Sequence, residues 1–137
     1  MNFLKIDKNN VDKLERFVKT IGSSADTFRY YSKRTPSEAI VNHLVTFLLF
    51  DGDAVGYGHL DEEDGVVWLG ICVKESCVGR GYGKSIMEQL VNSYDGNICL
   101  TVDGDNNAAI GLYKKLGFVV TKENPVVYME RSNDTNI

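Results

Sequence analysis

The sequence reads VGRGYGKS over residues 78–85, directly between an apolar segment and an amphipathic one. Before it, VVWLGICV (residues 66–73) is typical of a strand, and after it apolar residues recur with helical spacing, which predicts a helix over residues 81–94. Glycine at 79, 81 and 83 lets backbone N–H groups close on a bulky ligand, and a helix N-terminus favours an anion. The stretch therefore predicts a site for a phosphorylated ligand, and a turn without a ligand is the less favoured alternative.

Two common phosphate motifs fit this stretch poorly. A Walker A loop, GxxxxGK followed by Ser or Thr, needs glycine at position 78, where the chain has Val78. A dinucleotide fingerprint, GxGxxG starting at Gly79, needs glycine at position 84, where the chain has Lys84. Both nucleotide-binding interpretations are thus disfavoured by glycine spacing.

Outward from this stretch, the periodicity of apolar residues predicts the order β-α-α-β-β-β-α-β-α-β-β. A first helix begins at Asn10 as its cap and ends at Gly22, and a second begins at Thr35 with Glu38 completing a capping box. The segment 28–34 between them is predicted as an irregular loop. The strands are expected at residues 3–6, 45–50, 55–60, 66–73, 98–102, 118–122 and 126–130, and the last helix at 106–117. One α/β domain over residues 1–131, with a polar tail over 132–137, is the economical arrangement.

Composition excludes several classes of protein. With 137 residues and 43% hydrophobic content, the chain has the size and the apolar residues of one domain. Its net charge of −4 gives no overall positive electrostatic field that would attract nucleic acid. The N-terminus shows no signal-peptide pattern and no stretch approaches about 20 apolar residues, so we expect a cytoplasmic protein that does not bind a membrane. Cys72, Cys77 and Cys99 form no CxxC pair and the two histidines are isolated, so we expect buried thiols and no metal.

A second stretch makes the prediction specific. Residues 106–118 read NNAAIGLYKKLGF, similar to N-x-x-A-x-x-L-Y-x-K-x-G-F, which is motif B of the GNAT N-acetyltransferases. Residues 79–84, GRGYGK, resemble the RGKGIGK segment of motif A in the same family, with Gly81 and Gly83 as the family glycines. Val78 departs from the usual Gln or Arg. The resemblance spans about residues 45–130, and it implies the GNAT fold. That fold is a mixed twisted sheet of about seven strands flanked by about four helices, in which parallel strands four and five splay apart.

The resemblance implies acetyl-coenzyme A as the acetyl donor, without a metal. Backbone amides of the glycine loop would hold the pyrophosphate, and the strand before the loop would pair with the pantetheine arm. A backbone N–H near Cys72 or Val73 would polarise the thioester carbonyl. The implied coenzyme-binding residues are Ile71, Cys72, Val73, Val78, Gly79, Arg80, Gly81, Tyr82, Gly83, Lys84, Ser85 and Asn106.

Catalysis needs an acid for the leaving thiolate and a base for the attacking amine. Motif B implies Tyr113 as the general acid, since a phenol stays protonated at neutral pH. His59, Glu75 and Asp103 are three open candidates for the base. Alternation along the strand is expected to place His59 on one face with Tyr57 and Val55, whereas the acidic run 61–64 is expected to form a solvated hairpin tip.

The acceptor is expected to lie against the segment between the first two helices. This segment contributes Phe28, Arg29, Tyr30 and Tyr31, and its aromatic and basic character suits a ring-bearing anion such as a nucleotide-linked amino sugar. An amino sugar is the other expected acceptor of this kind. An ordinary turn with inward-packed aromatics is equally compatible with it. The alternatives are a protein, peptide or polyamine acceptor, and a non-catalytic coenzyme A sensor. Either a monomer or a homodimer is compatible with the sequence.

Overall fold

Seven strands and four α-helices make up the computed structural model over the residues that it describes, 1–123 and 126–132. The strands are β1 (Asn2–Lys5), β2 (His43–Asp51), β3 (Asp53–Glu63), β4 (Val66–Val73), β5 (Ile98–Val102), β6 (Val119–Lys122) and β7 (Val127–Arg131). The helices are α1 (Val11–Val18), α2 (Pro36–Ala39), α3 (Tyr82–Asn92) and α4 (Asn107–Lys115). The predicted order and class are confirmed. Residues 124 and 125, between the last two predicted strands, and the tail from 133 onward lie outside the described residues.

The strands form one mixed sheet in the order β1-β2-β3-β4-β5-β7-β6. Strands β2, β3 and β4 are an antiparallel meander, and β4 and β5 are parallel, as predicted. Within the part of the chain that the structure describes, β4 and β5 pair at a single position, where Trp68 lies opposite Cys99. Beyond it β4 continues to pair with β3 and β5 with β7, so the two parallel strands leave a split in the sheet.

Each face of the sheet has its own apolar core. One core contains the inner face of α3, where Ile86, Met87 and Leu90 are fully buried. A Cβ at Gly58 on β3 would lie 2.8 Å from an Ile86 methyl group, so the absence of a side chain lets α3 approach the sheet. The other core joins Leu14 and Phe17 of α1 to the opposite face. Within the described ranges, no helix is long and apolar enough to cross a membrane.

The segment between the first two helices differs from its prediction. Helix α1 ends at Val18, and Gly22 instead begins a 3-10 turn over Gly22–Asp26. The Asn10 side chain does not cap α1: it accepts a hydrogen bond from the Asp7 N–H and donates one to the Lys5 carbonyl. Segment 28–34 contains a 3-10 turn at Tyr30–Ser32. The capping box of Thr35 and Glu38 on α2 is confirmed.

Strand β3 corrects two further predictions. A register shift against β2 near Val55 turns that side chain to the α3 side of the sheet, whereas Tyr57 packs on the α1 side. Val55 therefore does not share a face with Tyr57 and His59. Asp61 is not part of an exposed hairpin tip, because β3 runs on to Glu63 and only 9% of Asp61 is exposed. One thiol also differs, since Cys99 is only half-buried.

Candidate active site

The glycine loop enters α3 through two residues with left-handed backbone conformations. Gly79 has φ of 80° and Gly81, the cap of the helix, has φ of 84°. A Cβ at either position would meet nothing within 4 Å, so the backbone conformation and not crowding explains why glycine stands there. The first N–H groups of α3 have no partner within the helix. The loop therefore has the donors and the dipole that an anion requires.

A cavity of about 360 Å³, here called cavity A, opens beside this loop. The predicted coenzyme-binding residues line it, except Arg80, Lys84 and Ser85. Arg80 and Lys84 are exposed, and the Ser85 hydroxyl donates to the Gly81 carbonyl. The remaining nine residues, which the structure brings together, are Ile71, Cys72, Val73, Val78, Gly79, Gly81, Tyr82, Gly83 and Asn106.

A larger cavity of about 550 Å³, here called cavity B, lies along the split on the α1 side of the sheet. Its wall includes Phe28, Arg29 and Tyr30, three of the four residues that the sequence predicts to bind the acceptor. Tyr31 is not among its lining residues; it packs on the α1-side core and its hydroxyl lies 2.6 Å from that of Tyr57. Both signs of charge are present in the wall, which also contains Arg34, His59, Asp61, Glu63, Trp68, Gly70, Asp103 and Tyr128.

The two cavities meet at the split between β4 and β5. They share five lining residues: Thr27, Phe28, Ile71, Asn106 and Tyr113. Because β4 and β5 separate after Trp68, none of the strands in residues 1–123 and 126–132 closes the sheet between the cavities. Ligands entering from the two sides can therefore touch within the split.

Tyr113 stands where the two cavities meet. It lies on α4, is 9% exposed, and its ring packs beside Phe118. Burial raises the pKa of its phenol to about 12, so it remains protonated throughout the neutral range. Asn106, which the sequence predicts as a helix cap, does cap α4 by accepting a hydrogen bond from the Ala109 N–H.

His59 is almost completely buried on β3, at 2% exposure, yet it lines cavity B. Its Nδ1 lies 2.6 Å from the Tyr57 hydroxyl, and its ring centroid is 4.5 Å from that of His43. Burial first, and then the nearby charges of His43 and Arg34, hold the pKa of His59 well below its ordinary value. The ring is therefore neutral at pH 7.

The other two candidate bases are engaged elsewhere. The exposed Glu75 accepts a hydrogen bond of 2.6 Å from the Ser23 N–H, and this bond fixes the 3-10 turn after α1. The bond also lowers the pKa of the Glu75 carboxyl group. Glu75 is absent from the walls of cavities A and B. Asp103 does line cavity B, where it forms a 3.2 Å ion pair with Arg29. That pair joins segment 28–34 to the end of β5.

The wall residues of cavity B that the sequence prediction did not name include Asp61, Glu63 and Tyr128. Asp61 accepts a 2.6 Å hydrogen bond from the Tyr30 hydroxyl, which in turn lies 2.8 Å from Nε2 of His43. The alternation of Tyr57, His59 and Asp61 along one strand was a usable signal, since three polar groups on a buried face need partners. In the described residues, no group of three His, Cys, Asp or Glu side chains is arranged to hold a metal.

The chain belongs to the acetyltransferase (GNAT) family, whose model matches residues 11–118. It is 39% identical over 74 residues to mycothiol acetyltransferase of Corynebacterium jeikeium, matching 51% of this chain and 21% of that protein. It is 35% identical over 80 residues to the L-amino acid N-acetyltransferase AaaT of Escherichia coli, matching 51% of this chain and 49% of that protein. The matched stretches thus span about a fifth and about half of these curated relatives.

The fold is that of solved acetyltransferases. The PaiA N-acetyltransferase of Thermoplasma acidophilum, solved in complex with coenzyme A, superposes with a TM-score of 0.73 at 17% identity, covering 96% of this chain and 98% of that one. The predicted family and the predicted GNAT fold are both confirmed.

Proposed function

We propose that this chain transfers an acetyl group from acetyl-coenzyme A to a primary amine of a small molecule, by direct attack in a ternary complex. The observation that carries the proposal is the meeting of cavities A and B at Tyr113, within the split of the sheet. A thioester entering through cavity A and an amine entering through cavity B would meet there without a covalent enzyme intermediate. Holding two reactants in contact is itself a large part of catalysis.

The residues of cavity A fit the donor. The loop amides after Gly79 and the N-terminus of α3 suit a pyrophosphate, and the free edge of β4 suits an extended pantetheine arm. The Lys74 N–H donates to the Val55 carbonyl on β3. Because successive N–H groups of a strand point to opposite edges, the Val73 N–H would face the split. We therefore favour Val73 over Cys72 as the donor that polarises the thioester carbonyl.

Tyr113 would protonate the departing thiolate, and His59 would take up the proton of the attacking amine. A neutral imidazole on the wall of cavity B can accept that proton, whereas Asp103 is held by Arg29. Glu75 is the least favoured base, because its carboxylate is bound to the Ser23 N–H away from both cavities.

The acceptor is proposed to be a compact amine that also carries negative charge. Asp61 and Glu63 suit its ammonium group, Arg34 suits an anionic group, and the aromatic wall of cavity B suits a ring. A nucleotide-linked amino sugar meets all of these requirements, whereas a simple amino sugar meets only those for the ammonium group and the ring. An amino acid is the second candidate, because one relative is named an L-amino acid N-acetyltransferase.

A thiol-release screen with acetyl-coenzyme A tests the proposal against amino sugars, nucleotide-linked amino sugars, amino acids, polyamines and peptides. We expect release with a sugar or amino acid acceptor, and thermal stabilisation by acetyl-coenzyme A but not by ATP or NAD. At a ligand concentration of 100 times Kd, the stabilisation is about 2.7 kcal/mol. A response confined to polyamines or peptides would exclude the proposed acceptor class. Coenzyme A binding without turnover on any amine would instead indicate a sensor.

A further inference from the structure

An unbroken line of hydrogen bonds leads away from His59 along the α1 side of the sheet. The Tyr57 hydroxyl lies 2.6 Å from Nδ1 of His59 and 2.6 Å from the hydroxyl of Tyr31. Tyr57 is fully buried, whereas Tyr31 is only partly buried, in the 3-10 turn at Tyr30–Ser32. The line therefore connects the buried ring of His59 with a partly buried residue in the outer layer of the molecule.

The other edge of the His59 ring points toward the split. Gly70 of β4 is the cross-strand partner of His59, and a Cβ there would lie 2.4 Å from Nε2 and 2.3 Å from Cε1. Gly70 belongs to the wall of cavity B, and β4 borders the split. Nε2 thus faces the acceptor side while Nδ1 faces Tyr57.

We propose that Tyr57 and Tyr31 form a relay that carries the proton taken up at His59 out of cavity B. The inference rests on the proposed function. Tyr57 and Tyr31 are positioning residues in it, because they act on the proton of His59 and do not touch the substrate. Tyr31, predicted to bind the acceptor, would have this role instead.

The surroundings of His59 explain why a relay is needed. A buried imidazolium is costly, and the pKa of His59 is held low by burial and by nearby positive charge. If Nδ1 loses a proton while Nε2 gains one, the ring never carries a charge. The titratable and charged groups around the ring are His43 on β2, Tyr30 and Arg34 in segment 28–34, and Tyr57 and Asp61 on β3.

The transfer balances as follows. Nε2 of His59 takes a proton from the acceptor ammonium, Nδ1 gives its proton to the Tyr57 oxygen, Tyr57 gives its own to Tyr31, and Tyr31 releases one to water. After the product leaves, Tyr31 takes a proton from solvent and the protons return along the same bonds to Nδ1. Nε2 gives its proton to water in cavity B in the same step, so the ring stays neutral. The second proton that the nitrogen loses as the amide forms replaces the one that Tyr113 gives to the thiolate. The net result is one proton released per acetyl transfer, with no oxidation or reduction.

The test is the pH dependence of turnover in Tyr57→Phe and Tyr31→Phe, which keep the rings and remove the hydroxyl groups. We expect kcat at pH 7 to fall about 10-fold in each, with recovery at high pH, where the acceptor amine is already neutral. KM for acetyl-coenzyme A should not change. In mixtures of H₂O and D₂O, the rate of the unmodified enzyme should vary non-linearly with the D₂O fraction. The rate of Tyr57→Phe should vary linearly with it.

Tyr94→Phe is the matched control, because Tyr94 packs on the α3-side core and should keep the original pH profile. If Tyr57→Phe unfolds, Tyr31→Phe at the outer end carries the test alone, with its fold checked by thermal unfolding. Unchanged rate and pH profile in a folded relay variant would overturn the relay while leaving the acetyltransferase proposal intact. An unmodified chain that acetylates no amine would overturn both.

Discussion

At the scale of single residues, Tyr113 is the side chain on which the proposed chemistry depends most directly. Its phenol lies at the junction of the two cavities, and its pKa of about 12 keeps it protonated. Tyr113→Phe should lower kcat by about 10²-fold, because general acid catalysis contributes on that order. Acetyl-coenzyme A affinity, measured by calorimetry, should stay the same. Full turnover in a folded Tyr113→Phe would show that another group protonates the thiolate.

Gly70 is predicted to control the position of the His59 ring. In Gly70→Ala, the new methyl group would overlap Nε2 and Cε1, and the ring has little room to retreat because Tyr30 and His43 lie 4.3 and 4.5 Å away, centroid to centroid. We expect kcat to fall about 10-fold and the free energy of unfolding to fall by about 1–3 kcal/mol. Steady-state kinetics and urea denaturation measure the two effects.

Gly111→Ala is the control for this substitution. A Cβ at Gly111 on α4 would meet nothing within 4 Å, and alanine is the better helix former by about 1 kcal/mol. Activity should therefore be retained with equal or higher stability. If Gly70→Ala behaves like Gly111→Ala, the position of the His59 ring is not important for turnover.

At the scale of elements, the start of α3 combines a left-handed backbone conformation with the proposed coenzyme site. Gly81 has φ of 84°, and alanine in the left-handed region costs about 1–2 kcal/mol. Gly81→Ala should therefore lower the free energy of unfolding by about this amount and weaken acetyl-coenzyme A binding, because the amides of the loop would be displaced. Thermal unfolding and calorimetric titration distinguish the two losses.

Gly65 provides a matched comparison in the β3–β4 hairpin. Its φ of 81° is nearly the same, and a Cβ there also meets nothing within 4 Å. Gly65→Ala should carry a similar cost in stability but keep the affinity for acetyl-coenzyme A. Equal losses of affinity in both variants would argue against a direct role for the loop.

Elements with a local cause were predicted from the sequence, and those set by distant contacts were not. The capping box at Thr35 and the cap at Asn106 depend on residues three positions away, so the pattern reveals them. Asn10 is a local exception, because its side chain bonds to Asp7 and Lys5 and not to the start of α1. The register shift near Val55 arises from pairing with β2. Such competing partners are not visible in a periodicity.

At the scale of the whole molecule, buried histidines link stability to pH. Burial lowers the pKa of His43 from 6.5 to about 4, so the unfolded chain binds more protons between these values. This contribution to stability is complete above pH 6.5 and is lost as the pH falls toward 4. Each such histidine changes the free energy of unfolding by at most about 1.4 kcal/mol per pH unit.

Urea denaturation at intervals between pH 7.5 and pH 4.5 measures this effect, with His43→Gln as the comparison. The variant should show a shallower loss of stability between about pH 6.5 and 5, above the range where ordinary carboxylates titrate. An identical slope in the variant would mean that the ring of His43 is protonated in the folded protein.

The sequence by itself determined the fold class, the glycine loop before α3 and the segment 106–118, because each depends on residues that are near neighbours along the chain. Only the tertiary structure decided the surroundings of the proposed base. His59 and Tyr57 from β3, Tyr31 from the segment before α2, and Gly70 from β4 meet through strand pairing and packing. Their protonation depends on burial and on partners far apart in sequence, so no local pattern encodes it.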